Sequence, residues 1–104
     1  DQIVPLMALG AKGCISVLSN VVPNKAARIC SSFAEGNIKE SLALQTELLP
    51  LINALFCEVN PIPVKAAMAA LGYCEDYLRL PLTNMEQAHK EKLLNEMRKQ
   101  GLNV

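Results

Sequence analysis

Apolar and polar residues follow the three-to-four-residue period of amphipathic helices along most of this chain, and one early segment departs from that period. Residues 13–17 read Gly-Cys-Ile-Ser-Val, a short β-branched run after Gly10 that predicts a β-strand. A single strand cannot pair its own backbone N–H and C=O groups, and the pattern offers no second strand beside it. We therefore expect a strand whose pairing partners lie outside these 104 residues.

The remaining periodicity predicts helices at residues 1–9, 25–35, 38–56, 64–71 and 83–100. Four of them are followed by a glycine, the residue that most often ends a helix: Gly10, Gly36, Gly72 and Gly101. Asn37 with Glu40, and Thr83 with Glu86, have the spacing of helix-capping pairs. The expected fold is mostly α, with one strand and about five helices.

The longest predicted helix, residues 38–56, carries two apolar stripes. One stripe consists of Ile38, Leu42, Leu49, Ile52 and Phe56, and the other of Leu44, Leu48, Leu51 and Leu55. The second half of this helix is therefore apolar most of the way round, and it must be covered on more than one side.

Composition and charge narrow the possible partners. The chain has 51% apolar and 4% aromatic residues, which predicts one small aliphatic core. Ten basic and ten acidic residues cancel without forming blocks, so neither nucleic acid nor an anionic membrane is an expected partner. No apolar run approaches the ~20 residues of a membrane-spanning helix.

The four cysteines, Cys14, Cys30, Cys57 and Cys74, form no Cys-x-x-Cys pair and have mostly apolar neighbours. We interpret them as buried free thiols rather than as disulfide partners or zinc ligands, and we expect no metal. Asp1 opens no signal peptide. These observations favour a reducing, cytoplasmic location.

Few residues suggest chemistry. His89 is the only histidine and lies on a charged helical stretch, which predicts a solvated surface side chain. Asn60, Lys65 and Arg79 flank proline-bearing segments, where they could be site residues or could pair with nearby loop carbonyls and carboxylates. No catalytic pair of carboxylates, His–Cys pair or phosphate-binding glycine loop can be assembled.

Four segments resemble a known family. They read Gly-Ala-Lys-Gly-Cys-Ile-Ser-Val at residues 10–17, Ala-Glu-Gly at 34–36, Asn-Pro-Ile-Pro-Val-Lys at 60–65 and Leu-Arg-Leu-Pro-Leu at 78–82. The order and spacing of these segments resemble those in the C-terminal third of enzymes of the dihydrodipicolinate synthase family, which are pyruvate-dependent Schiff-base lyases. The resemblance extends over the whole chain. The last two segments favour this branch over N-acetylneuraminate lyases, which remain the alternative within the wider family.

The resemblance implies part of a (β/α)8 TIM barrel, a fold of about 250 residues, followed by a C-terminal helical extension. On that basis residues 1–36 correspond to helix seven, strand eight and helix eight of the barrel, and residues 37–104 to the extension. Strands one to seven would lie outside the chain.

Family members condense pyruvate, held as a Schiff base on a barrel lysine, with aspartate semialdehyde in diaminopimelate and lysine biosynthesis. The resemblance implies no cofactor, and it places the catalytic lysine and tyrosine before Asp1, so no catalytic residue is assigned. Neither Lys12 nor Lys65 sits in the matching strand. The backbone carbonyl of Ile15 is the group that, by resemblance, faces pyruvate. The family commonly has Val where this chain has Cys14.

Family members are also tetramers or dimers, and helix seven contributes to a subunit contact. Pro5, Ala8 and Leu9 are the matching positions, although they could instead pack inside the subunit. Without the rest of a barrel, we expect these residues to be inactive and to self-associate. The competing hypothesis is an independent helical interaction module.

Overall fold

The computed structural model describes all 104 residues and contains six helices and no strand. The helices are α1 (Ile3–Ala8), α2 (Leu18–Val21), α3 (Pro23–Ala34), α4 (Ile38–Leu55), α5 (Ile62–Ala70) and α6 (Gln87–Lys99). The mostly helical prediction is confirmed, and α2 is a single turn that the periodicity did not predict. None of these helices combines the length and hydropathy needed to cross a membrane.

The strand predicted at residues 13–17 is not formed in this chain. Residues 11–16 have no regular secondary structure, and Val17 is already the N-cap of α2. From Lys12 to Ile15, no backbone group donates or accepts a backbone hydrogen bond. The physical reason is that a strand exists only as a member of a ladder, and no neighbouring strand is present to complete one.

The capping box predicted from Thr83 and Glu86 is also wrong. The last helix begins at Gln87, and Glu86 is its N-cap with extended backbone angles. The Glu86 backbone N–H donates to Oε1 of Glu58 at 3.0 Å, so the acceptor comes from 28 residues earlier in the chain. A long-range carboxylate therefore replaces the local cap that the sequence spacing favoured.

The start of α4 agrees with its predicted cap. The Glu40 backbone N–H donates to Oδ1 of Asn37 at 3.4 Å, and Nδ2 of Asn37 donates to the Glu40 carboxylate at 2.6 Å. Arg28 on α3 adds two hydrogen bonds to the same carboxylate, at 2.8 and 3.0 Å. The hydrogen bond from Arg28 lowers the pKa of Glu40 and raises that of Arg28. A carboxyl group whose pKa is lowered on folding stabilises the folded state at pH values above its ordinary pKa. This contribution is therefore lost as the pH falls through the lowered pKa of Glu40.

The chain divides into two compact units, Asp1–Leu49 and Pro50–Val104, and the division falls inside α4. Pro50 lies within that helix and has no N–H to donate to the preceding turn. This division differs from the boundary predicted between residues 36 and 37, which would separate the barrel part from the helical extension. That boundary stays a prediction.

In the first unit, α1 and α2 both pack against α3. Its core is aliphatic and includes Val4, Met7, Leu18, Val21, Ala26 and Ile29. Two polar side chains of α4 are buried with this core. Ser41 donates through Oγ to the Ile29 carbonyl at 2.7 Å, and Gln45 contacts the beginning of the chain.

In the second unit, α5 packs against α6. The buried residues of these two helices and the preceding loop include Ile62, Ala66, Ala67, Met85, Leu93 and Met97. The second half of α4 is buried at Leu51, Ile52, Ala54 and Leu55, which confirms that it is covered on more than one side. By contrast, the outer members of the first predicted stripe, Ile38, Leu42 and Phe56, are exposed.

Gln45 uses both ends of its side-chain amide. Its Oε1 accepts the Val4 backbone N–H at 2.7 Å, and its Nε2 donates to the Asp1 carbonyl at 2.8 Å. The Val4 N–H lies in the first turn of α1, where a helix offers no acceptor of its own. This one side chain therefore supplies the missing acceptor and fixes α1 against α4.

The substitution Gln45→Leu should lower the free energy of unfolding by about 1–3 kcal/mol, because it keeps the volume but leaves the buried Val4 N–H without an acceptor. Urea unfolding at a fixed protein concentration measures the change. Lys39→Ala, at an exposed position of the same helix, is the control and should stay within about 0.5 kcal/mol. Identical midpoints for Gln45→Leu and the native chain would contradict the role assigned to Gln45.

Candidate functional site

The segment that resembles a barrel strand is held at both ends and open between them. We call residues 11–16 the open segment. At its start, α1 ends with Gly10 at a φ of 108° and with the Ala11 N–H donating to the Leu6 carbonyl at 3.0 Å. At its end, Oγ of Ser19 donates to the Ser16 carbonyl at 2.6 Å. The backbone between these fixed points is free to bond with groups outside the chain.

Ile15 is the candidate substrate-contacting residue within the open segment. Its side chain is fully exposed, and its carbonyl accepts no hydrogen bond within the chain. The structure thus leaves this carbonyl available, which the proposed contact with pyruvate requires. The contact itself stays a prediction.

The cysteines are free, as predicted, but the prediction that they are buried is wrong. Cys14, Cys57 and Cys74 are exposed, and Cys30 is half-buried. Cys14 in the open segment lies 3.7 Å from Cys30 on α3, measured between the two Sγ atoms. Burial raises the pKa of the Cys30 thiol, and the hydrogen bond with Cys14 acts in the same direction.

The candidate subunit-contact residues lie on the exposed side of α1. Pro5, Ala8 and Leu9 are all exposed, whereas Val4 and Met7 on the opposite side are buried. Exposure within these 104 residues tests neither an interface contact nor packing inside a complete subunit. Their place in an interface stays a prediction.

His89 keeps 41% of its side chain exposed, but it is paired rather than simply solvated as its charged neighbours suggested. It is half-buried, and its Nδ1 lies 2.7 Å from Oε1 of Glu58 and 3.7 Å from Oε2 of Glu86. The spacing of three residues could have indicated the contact with Glu86. Nothing local indicates Glu58, which lies 31 residues before His89.

The three side chains Glu58, Glu86 and His89 each offer one possible metal-ligand atom within 4.8 Å of the others. The same geometry also has a structural explanation. The Glu58 carboxylate accepts the N-cap N–H of α6 and sits at the positive end of that helix, where negative charge is favourable. We therefore interpret this cluster as the cap of α6.

Removing the Glu58 carboxylate by Glu58→Ala should lower the free energy of unfolding by about 0.5–2 kcal/mol, the usual effect of losing an N-terminal cap. Amide signals of the first turn of α6 should lose helical character in NMR spectra before the rest of the helix does. The control is Glu75→Ala, which removes an exposed carboxylate from the same unit. An unchanged first turn in Glu58→Ala would rule out the capping role.

The side chains of Asn60, Lys65 and Arg79 make no hydrogen bond or ion pair with one another or with loop carbonyls or carboxylates. The loop between α5 and α6 is instead fixed by Asp76, whose carboxylate pairs with Lys90 at 2.6 Å. Sequence reasoning missed this contact, because the loop gives no local signal of it.

Comparison with known proteins identifies the family. The profile of the Dihydrodipicolinate synthetase family matches residues 1–100. The 4-hydroxy-tetrahydrodipicolinate synthase of Alkaliphilus oremlandii is 53% identical over 102 residues, which cover 98% of this chain and 35% of that protein. The chain belongs to the dihydrodipicolinate synthetase family. It spans about a third of the length of the relatives that it matches.

Comparison with solved structures leads to the same family. The crystal structure of dihydrodipicolinate synthase from Thermotoga maritima matches with a TM-score of 0.96 at 40% identity, over 98% of this chain and 35% of that one. The chloride-inhibited enzyme from Acinetobacter baumannii, crystallised with pyruvate, matches with a TM-score of 0.92 at 35% identity, over 98% and 35% of the two chains. The neighbours are TIM-barrel proteins, and this chain matches a helical part of them.

Proposed function

We propose that this chain forms the C-terminal third of a 4-hydroxy-tetrahydrodipicolinate synthase. The complete protein condenses pyruvate, held as a Schiff base on a barrel lysine, with aspartate semialdehyde on the route to diaminopimelate and lysine in the cytoplasm. The observation that carries this proposal is the match of 98% of the chain to complete synthases, at 53% identity in sequence and a TM-score of 0.96 in structure.

In this proposal the open segment becomes the eighth barrel strand. The structural match to a complete synthase covers 98% of the chain, which supports this placement of the open segment. Its backbone groups from Lys12 to Ile15 are unpaired here and are free to bond with strands on both sides. Closure of the barrel would supply those strands.

The role assigned to Ile15 is to orient the substrate rather than to carry out chemistry. A backbone carbonyl at the carboxyl end of a barrel strand lies where TIM-barrel enzymes bind their substrates. It accepts hydrogen bonds at any pH, and its position is set by the strand rather than by a rotamer. Pyruvate in the Acinetobacter baumannii relative supports this substrate class.

The chain alone should have no synthase activity, because the proposal places the nucleophilic lysine and the proton-transferring tyrosine in the preceding part of the enzyme. Lys12 and Lys65 are not assigned to that role.

A chimera tests the function directly. These 104 residues would replace the corresponding segment of the Alkaliphilus oremlandii synthase, to which they are 53% identical. We expect synthase activity with pyruvate and aspartate semialdehyde within about tenfold of the parent, because the catalytic groups are untouched and the segment closes the same barrel. Borohydride should trap pyruvate on the chimera and should leave the isolated chain unmodified.

A folded chimera without activity would overturn the proposal, provided that the parallel chimera with the Thermotoga maritima segment is active. A pyruvate adduct on the isolated chain would overturn the prediction that it is inactive.

We also propose that the chain associates through surfaces that a complete enzyme would cover. The exposed side of α1 includes Leu6, at 49% exposure, and Leu9, at 84%. The open segment adds unpaired strand edges and the exposed Ile15 side chain. In the complete enzyme, Pro5, Ala8 and Leu9 would contribute to a dimer or tetramer contact. Exposed apolar faces and open strand edges favour association between copies.

Light scattering across a concentration series should therefore give a mass above that of the 11.3 kDa monomer, and the mass should rise with concentration. Ile15→Pro removes a donor from the open segment and should weaken pairing through the strand edge. Leu9→Lys should weaken contacts through α1. A monomer at high micromolar concentration would contradict this proposal and would favour an independent helical module.

A further inference from the structure

Two of the four thiols are in contact. Sγ of Cys14 and Sγ of Cys30 lie 3.7 Å apart, although the two residues are separated by 16 positions in the chain. Cys14 belongs to the open segment, and Cys30 lies in the middle of α3 within the same compact unit. Cys57 and Cys74 are exposed and make no such contact. The proximity is therefore specific to one pair.

The surroundings of this pair permit the sulfur atoms to approach further. A disulfide bond is about 2.05 Å long, so the two Sγ atoms must move together by roughly 1.6 Å. Cys30 is fixed in its helix, but the backbone around Cys14 makes no hydrogen bond that would resist a small shift.

We propose that Cys14 and Cys30 form an oxidisable dithiol site that closes to an intrachain disulfide when the chain reacts with a peroxide. The exposed Cys14 sulfur attacks one peroxide oxygen, the O–O bond breaks, and the products are a sulfenic acid and water. Sulfur of Cys30 then attacks sulfur of Cys14, and the sulfenic hydroxyl leaves as water with the Cys30 proton. Two thiols and one hydrogen peroxide thus give one disulfide and two waters.

The order of the two steps follows from exposure. Cys14 is exposed and can meet a peroxide in solution, whereas Cys30 is half-buried. Burial raises the pKa of Cys30, which disfavours the thiolate that attacks peroxide. Cys30 therefore acts as the resolving thiol. A small dithiol reverses the bond by exchange.

The closed disulfide would join the open segment to α3. Because Cys14 directly precedes Ile15, the bond would also restrain the carbonyl assigned to pyruvate. That last consequence rests on the proposed function, whereas the bond itself rests only on the geometry of the two thiols.

The experiment treats the 104-residue chain with stoichiometric hydrogen peroxide, alkylates the remaining thiols, and determines the intact mass and a peptide map. We expect the covalent mass of a single chain that has lost two hydrogens, carries alkyl groups on Cys57 and Cys74, and contains the Cys14–Cys30 peptide pair. Dithiothreitol should restore four alkylatable thiols. Formation should be more than about tenfold faster than in denaturing urea, because folding holds the two sulfurs together at high effective concentration.

Matched variants isolate the pair. Cys57→Ser with Cys74→Ser should form the bond as the native chain does, and Cys14→Ser with Cys30→Ser should form no intrachain bond. Cys30→Ser alone should stop at the Cys14 sulfenic acid, which dimedone captures. The proposal is overturned if native and urea-unfolded chains oxidise at equal rates, if only disulfides between chains appear, or if Cys30 remains alkylatable after Cys14 is oxidised.

Discussion

A buried backbone N–H or C=O group needs a hydrogen-bond partner. This requirement separates the segments that find their partners within the chain from the one segment that does not. A helix supplies its own partners in its interior, so α3, α4 and α6 form within these residues. The open segment has the composition of a strand, yet its backbone from Lys12 to Ile15 finds no partner in the chain. The local preference of a segment therefore does not decide its conformation when its hydrogen-bond partners belong to other strands.

The same requirement explains why the ends of helices are fixed by distant residues. The first turn of α1 takes its acceptor from Gln45, and the N-cap residue of α6, Glu86, takes its acceptor from Glu58. Both acceptors are single polar side chains on other parts of the chain. Both contacts join residues that lie far apart in the sequence, at |i−j| values of 41 and 28.

Sequence reasoning predicted the helices well, since periodicity and terminal glycines are local signals. Gly36, Gly72 and Gly101 each have a positive φ at the end of a helix, as their positions indicated. It did not predict that Glu58 replaces the cap expected from Thr83, nor that Glu58 pairs with His89. No spacing rule connects residues so far apart. It also failed for the exposure of Cys14, because burial depends on neighbours that the open segment lacks. The candidate role of Ile15 came from a family motif and could not have come from periodicity.

Pro50 has a consequence for how α4 opens. The helix is continuous in its backbone path, but the missing N–H of Pro50 leaves the preceding turn with one hydrogen bond fewer at the boundary between the two compact units. Local opening on one side of this residue does not require the hydrogen bonds on the other side to break. We therefore expect the amide protons of α4 to fall into two sets that exchange with solvent at separate rates, each set governed by the compact unit to which it belongs.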